Sequence, residues 1–282
     1  MNNQQHNSSS LSTYTAQAYW EERLSQHFDL IGAGYAALGP RYNARLYTAR
    51  LEALEKGLTL IGQTLKDARV LEVGCGTGFY TGYCERQGVN EYVGLDITLV
   101  SINTLQERYP RFRFIQSDIT ADKIPDLGSE FDIVLAADVL FHIPQDDAFE
   151  KAVRNIISQL KVGGLLIVSD VFPANSIQLA NYLRIRSLND YCRLLEKYQT
   201  RLSHIEPIFA ILQPPPLLPN VNLLWKGYAW IWRYAWRLAR WGVMDSLLPS
   251  ILAWFDKRLF LPKWGETAPN NKWLFAIKGD VA

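Results

Sequence analysis

The stretch Leu71-Glu72-Val73-Gly74-Cys75-Gly76-Thr77-Gly78 joins a short β-like run, residues 68–73, to a helical one, residues 77–86. Glycines at such a junction let the backbone turn sharply and let a ligand approach the main chain closely. The N–H groups at the start of the following helix favour an anionic or carboxylate group nearby. A dinucleotide fingerprint would place its third glycine three residues after the second, where this chain has Phe79. The spacing is GxGxG, which a pyrophosphate site does not predict.

Working outward, the pattern alternates. Strands are expected at 91–96, 112–116, 131–136 and 165–171, and helices at 99–109 and 146–160. The run Phe131-Asp132-Ile133-Val134-Leu135-Ala136 is apolar almost throughout, as a strand covered on both faces should be. Strands alternating with helices imply parallel βαβ units with right-handed crossovers. Upstream, helical spacing runs through 14–27 and 41–58, interrupted at Gly32, Gly34 and Gly39-Pro40. Downstream, a helix is expected at 187–198, with Ser187 as its N-cap and Asp190 in the first turn. An edge or bulged strand holding Pro207 is expected at 202–211, helices at 221–240 and 244–260, and a last strand at 271–278.

Two carboxylates extend the glycine turn. Asp96 ends the second strand, 22 residues after Gly74, where it can accept hydrogen bonds from both hydroxyls of a ribose. Asp118 and Ile119 follow the third strand, placed to accept from an adenine amino group and to pack on its ring. Any one of these acids alone would read as a solvated turn residue; together they mark a nucleoside site with an adjacent charged group.

The ordered set VLEVGCGTG, GLDI (94–97), SDI (117–119), FDIVLAADVLFHI (131–143) and LKVGGLLIVSD (160–170) resembles the motifs of class I S-adenosylmethionine-dependent methyltransferases. The resemblance covers about residues 68–170. It implies an α/β, Rossmann-like, seven-stranded and mostly parallel sheet with helices on both faces and an antiparallel final strand. It implies S-adenosyl-L-methionine as cofactor, bound by Glu72, Gly74, Gly76, Asp96, Asp118, Ile119 and Ala137. The expected organisation is a flexible tail at 1–13, N-terminal helices closing the site at 14–67, and a methyltransferase domain at 68–282 with a Trp-rich helical cap at about 221–263.

Methyl transfer from a sulfonium is an in-line displacement, so aligning and desolvating the acceptor is the main task. A base is needed only where the nucleophile must lose a proton. His142, just past the fourth strand, is the expected base, or else it shapes the cofactor pocket or caps a turn. Asp138 is expected to orient the acceptor or to meet the methionine end, with Asp170 a lesser alternative. The paired Asp-Asn that metal-dependent catechol-type enzymes place after the fifth strand is missing, so no metal is expected. His204 reads as a surface residue of the edge strand.

Composition narrows the rest. The net charge of +1 gives no global reason to expect nucleic acid, and the three cysteines form no CxxC pair. The polar start, residues 1–13, lacks the features of a secretory signal, so a cytoplasmic setting is expected. Six of the nine tryptophans fall at 221–263, beside seven basic residues and two acidic ones. Three readings of that segment stand open: a packed cap with a solvated basic face, a roof over an apolar acceptor pocket, or an interfacial helix resting on an anionic membrane. Trp232 and Trp236 are expected to touch the acceptor, with Tyr19 and Trp20 closing the pocket from the other side. The acceptor expected is a small, largely apolar molecule methylated on oxygen, a natural product or lipid-like compound. Alternatives are N- or C-methylation, or a catalytically silent binder of the cofactor or of a membrane surface.

Overall fold

The computed structural model describes residues 15–216, 223–239 and 247–280, without the side chains at 224, 235, 236, 238 and 239. The expected tail at 1–13 and the side chain of Trp236 lie outside the described residues. Three helices come first, α1 (Ala16–Gln26), α2 (Leu30–Ala33) and α3 (Gly39–Leu60). Alternation follows with β1 (Arg69–Val73), α4 (Phe79–Gln87), β2 (Glu91–Asp96), α5 (Leu99–Arg108), β3 (Arg113–Gln116), β4 (Phe131–Ala137), α6 (Asp146–Ser158) and β5 (Leu160–Asp170). The remainder holds a hairpin, β6 (Ile177–Ala180) and β7 (Leu183–Ile185), then α7 (Leu188–Lys197) and β8 (Thr200–Pro207). It ends with α8 (Leu223–Ala239), α9 (Leu248–Phe255), a π turn at Asp256–Phe260, α10 (Leu261–Trp264) and β9 (Lys272–Lys278).

Seven strands form one sheet in the order β3-β2-β1-β4-β5-β9-β8. The first five run parallel, and β9 enters antiparallel between β5 and β8. Successive residues of each strand serve opposite faces. Val70 joins a core with Leu46 and Leu54 of α3 and Tyr83 of α4, whereas Leu71 joins one with Phe149 and Ile156 of α6 and Leu195 of α7. This double burial explains the nearly unbroken apolar run in β4, buried at Phe131 and from Ile133 to Ala136.

Pro207 ends β8 at the sheet edge, and the pairing with β9 slips between Leu202 and His204. The expected strand at 202–211 therefore stops early. Beyond it, the N–H groups of Ala210, Ile211 and Leu212 all donate to the buried Asp256 carboxylate, at 2.8–3.3 Å. The β6–β7 hairpin has no counterpart in the sequence reading, because its side chains other than Ile185 are half-buried or exposed and show no clean alternation.

The topology also fixes where a ligand belongs. From β1 the chain steps toward β2 and β3 on one side, while β4 and β5 lie on the other. Connections therefore diverge at the carboxyl ends of β1 and β4, the position where open α/β sheets leave a crevice.

Candidate functional site

At the end of β1 the chain turns through Gly74, Gly76 and Gly78, each with positive φ (75°, 49° and 80°). Gly74 is required twice over, since a Cβ there would also lie 2.3 Å from Cγ2 of Val139. A Cβ on Gly76 would meet nothing nearer than 3.9 Å, so this turn borders open space. The turn is pinned to the neighbouring strand. Gly74 and Cys75 donate to the Leu95 carbonyl at 2.7 and 3.0 Å, and Gly76 N–H donates to Asp96 Oδ2 at 2.8 Å.

Asp96 is buried, and its Oδ1 accepts from the Thr98 N–H and hydroxyl at 2.9 and 2.7 Å. Burial raises its pKa, opposed by those hydrogen bonds. Glu72, on β1 two residues before Gly74, is buried and accepts from the Tyr92 hydroxyl and, at 3.4 Å, from Thr81. Burial pushes its carboxyl up to about 8. After β3, Asp118 Oδ1 accepts from the N–H and hydroxyl of Thr120, both at 2.8 Å. Asn155 of α6 donates to the carbonyls of Ile119 and Ala121 at 2.8 Å and so fixes this loop.

All seven expected cofactor residues, Glu72, Gly74, Gly76, Asp96, Asp118, Ile119 and Ala137, line a single cavity of about 600 Å³. Its other half is aromatic and aliphatic, built by Trp20 and Leu24 of α1, Ala33 of α2, Tyr47 of α3, and Phe79 and Tyr80 of α4. The Tyr47 and Phe79 rings meet at 4.6 Å. The Tyr80 hydroxyl is buried with no hydrogen-bond partner. A nucleoside half with a backbone cradle open at Gly76, continuous with a largely apolar chamber carrying an orphaned hydroxyl, fits S-adenosylmethionine.

His142 lines the cavity and packs edge-to-face against Trp20 at 5.1 Å. Burial pushes its pKa down to about 4, with the nearby Asp138 charge working the other way. The ring is therefore neutral at physiological pH, and its buried Nδ1 has no hydrogen-bond partner.

Asp138 also lines the cavity, in a left-handed conformation with φ of 58°. Its carboxylate is already engaged. Arg50 of α3 pairs with Oδ2 at 2.6 Å, while Ser169 and Asn271 donate to Oδ1 at 2.6 and 2.7 Å. Asp138 thus ties α3 and β5 to Asn271, just before β9, while keeping its place on the cavity wall. Asp170 is buried away from the cavity, accepting from Tyr191 at 2.8 Å, with burial pushing it up to about 7.

The expected acceptor residues divide. Tyr19 does not line the cavity; its ring stacks on Tyr182 at 6.4 Å while the next residue, Trp20, takes the lining position. Trp232 is buried against Tyr42 at 5.9 Å and donates to the Ile211 carbonyl at 3.2 Å, which makes it core and not pocket. No described residue of α8 reaches the cavity. The cover comes instead from α1, whose Ala16, Trp20 and Leu24 recur every four residues on the inner face. Glu21 holds this helix down by accepting from the N–H groups of Leu99 and Val100, at 2.7 and 2.9 Å, at the N-terminus of α5. His204 sits on β8, with Nε2 3.1 Å from Glu206.

Residues 70–164 match a family described as a methyltransferase domain. Over 116 residues the chain is 32% identical to phthiotriol/phenolphthiotriol dimycocerosates methyltransferase 1 of Mycobacterium ulcerans, covering 40% of this chain and 41% of that protein. It is 28% identical over 188 residues to a ubiquinone biosynthesis O-methyltransferase of Xanthomonas euvesicatoria, covering 64% and 72% respectively. The chain thus spans less than half the length of the first curated relatives it matches. Among solved structures, magnesium protoporphyrin IX methyltransferase of Synechocystis with bound S-adenosylhomocysteine superposes with a TM-score of 0.53 at 13% identity, covering 93% of this chain and 99% of that one. Residues 70–164 thus carry a methyltransferase domain, and the chain shares the fold of a solved methyltransferase.

Proposed function

We propose that this protein transfers a methyl group from S-adenosylmethionine to an oxygen atom of a small, largely apolar, lipid-like acceptor. The observation that carries the reading is the convergence of three successive strand ends, at Gly74, Asp96 and Asp118, on one cavity whose remaining wall is aromatic. When bound, the cofactor supplies an electrophilic methyl group on a sulfonium. Asp96 keeps acceptor capacity for ribose hydroxyls, and Ile119 offers an apolar surface beside the Asp118 carboxylate. The chamber walls at Trp20, Leu24, Tyr47 and Phe79 exclude water and hold an apolar acceptor in line.

His142, which lines the cavity, is the residue to take up a proton. A conjugate acid with a pKa near 4 makes a weak base, a poor match for an alkyl alcohol; an acidic hydroxyl asks less of it, and a carboxylate, already ionised, needs no base. The reading therefore favours phenol-like or carboxylic acceptors. One relative is named a ubiquinone biosynthesis O-methyltransferase, which supports oxygen as the methylated atom.

The test is direct. S-adenosylmethionine and S-adenosylhomocysteine should each raise the melting temperature, and Asp96→Ala should remove both shifts. Transfer of a labelled methyl group should then be screened over phenolic, carboxylic, alcoholic and amine acceptors of matched apolar size. No shift with either ligand rejects the cofactor site, and transfer only to amines rejects the choice of oxygen.

A further inference from the structure

Amphipathic surface helices normally turn their apolar side inward. Helices α8 and α9 bury one apolar side and expose another. On α8, Trp225 and Trp232 are buried, and Tyr228 packs against the same inner side. About half a turn away, Leu223, Trp230 and Tyr234 stand in the open at 85%, 57% and 44% exposure. On α9 and its π extension the exposed set is Leu247, Ile251, Trp254, Phe255 and Leu259, which keeps helical spacing along one face. Leu248, Leu252 and Ala253 of the same segment pack inward on the core that receives Tyr228. Nine of the fourteen large apolar side chains exposed among the described residues lie on these two segments. The exposure is therefore concentrated, unlike the scattered apolar residues of an ordinary surface.

The charge beside these faces has one sign. Lys226, Arg233 and Arg237 are exposed along one edge of the α8 stripe, and Arg258 and Lys263 are exposed beyond α9. The one carboxylate among the described residues 223–264, Asp256, is buried and held by three backbone N–H groups. Lys257 is paired with Glu52 of α3 at 2.8 Å, which leaves the other cations unneutralised by this segment. No helix of the described residues is long and apolar enough to cross a membrane. Tryptophan and leucine flanked by lysine and arginine suit the boundary between headgroups and acyl chains, where rings insert and cations meet anionic lipid.

We infer that the outward faces of α8 and α9 are a docking surface for an anionic lipid bilayer, seated in its interfacial plane. The inference stands apart from the methyl-transfer reading, since none of these described residues touches the cavity. In use, it would set the chamber beside a reservoir of lipid-like acceptors.

The probe is co-sedimentation of the full chain with vesicles of phosphatidylcholine alone and of phosphatidylcholine mixed with phosphatidylglycerol, at low and high ionic strength. Binding to the mixed vesicles should exceed binding to the neutral ones at least about tenfold at low salt and weaken at high salt. Trp230→Ser with Trp254→Ser should abolish it, and Arg233→Glu with Arg237→Glu should remove the preference for anionic lipid. Both tryptophans are more than half exposed, and the cofactor-induced melting shift reports whether each variant retains its fold. In the unaltered protein, bromine-labelled acyl chains should quench tryptophan fluorescence. Failure of the unaltered protein to sediment with the mixed vesicles overturns the inference. So does a dimer in solution that the serine variants dissociate, which would give the face to a second copy of the chain.

Discussion

Glu72 is a carboxylate held in the protein interior by a tyrosine and a threonine, on the wall of a cavity meant for a cation. With its pKa pushed up to about 8 it is mainly protonated at neutral pH. A sulfonium and an ammonium in the cavity would favour the charged form and expel that proton. Cofactor affinity should then rise with pH, by at most about tenfold per unit, and level off above about 8. Titration calorimetry in buffers of differing ionisation enthalpy would count the released proton, and Glu72→Gln should flatten the dependence. A flat profile in the unaltered protein would remove Glu72 as counter-charge. The Arg50–Asp138 pair is a residue-scale matter of a different kind. Arg50 is buried, and removing it strands the Asp138 carboxylate with only Ser169 and Asn271 as donors. Arg50→Met should cost about 3 kcal/mol in urea unfolding, whereas an effect below about 1 kcal/mol would mean that water solvates Asp138 through the cavity.

Helix α1 shows what an element owes to distant residues. Its inner face was readable as an amphipathic pattern with Tyr19 and Trp20, but not which ring faces the cavity, nor what holds the helix down. The latch is Glu21 on the N-terminus of α5, a contact 78 residues away along the chain. Glu21→Ala removes two charge-assisted hydrogen bonds and a favourable helix-end charge, worth about 1 kcal/mol together once solvent exposure is allowed for. Cofactor affinity should fall about fivefold, with faster tryptic cleavage at Arg23; unchanged cleavage would show that Glu21 does not secure the helix. By contrast β1 to β4 and the helices between them were legible to within about two residues, because turn glycines, caps and periodicity are local signals. The cavity wall at Tyr47 and Tyr80 was not, since each residue alone is an ordinary apolar position on a helix. The role given to Trp232 failed for the same reason. Periodicity marks a buried face without saying whether it meets a cavity or Tyr42.

At the scale of the whole molecule, buried titratable groups set opposing demands on stability. Glu72 and Asp170 have folded-state values near 8 and 7, above ordinary carboxylates, so the folded protein holds protons that the unfolded chain has released. Their contribution is present in full only below about pH 4 and is lost progressively as pH rises to 7 and 8. His142, pushed down to about 4, acts oppositely; its contribution falls only as pH drops from about 6.5 toward 4. Between pH 6.5 and 8 the histidine is mainly neutral in both states, and Lys272, pushed down to about 8 by burial, opposes the slope only at the upper end, so the two carboxylates dominate it. The ligand-free protein should lose about 1–3 kcal/mol across that window. Denaturant melts at both ends should show the loss, and Glu72→Gln with Asp170→Asn should abolish it. Saturating S-adenosylmethionine should shrink or reverse the slope, because it binds the folded state more tightly as Glu72 ionises. A ligand-free protein equally stable at both ends would mean that water reaches both carboxylates and that the interior behind the glycine turn is not dry.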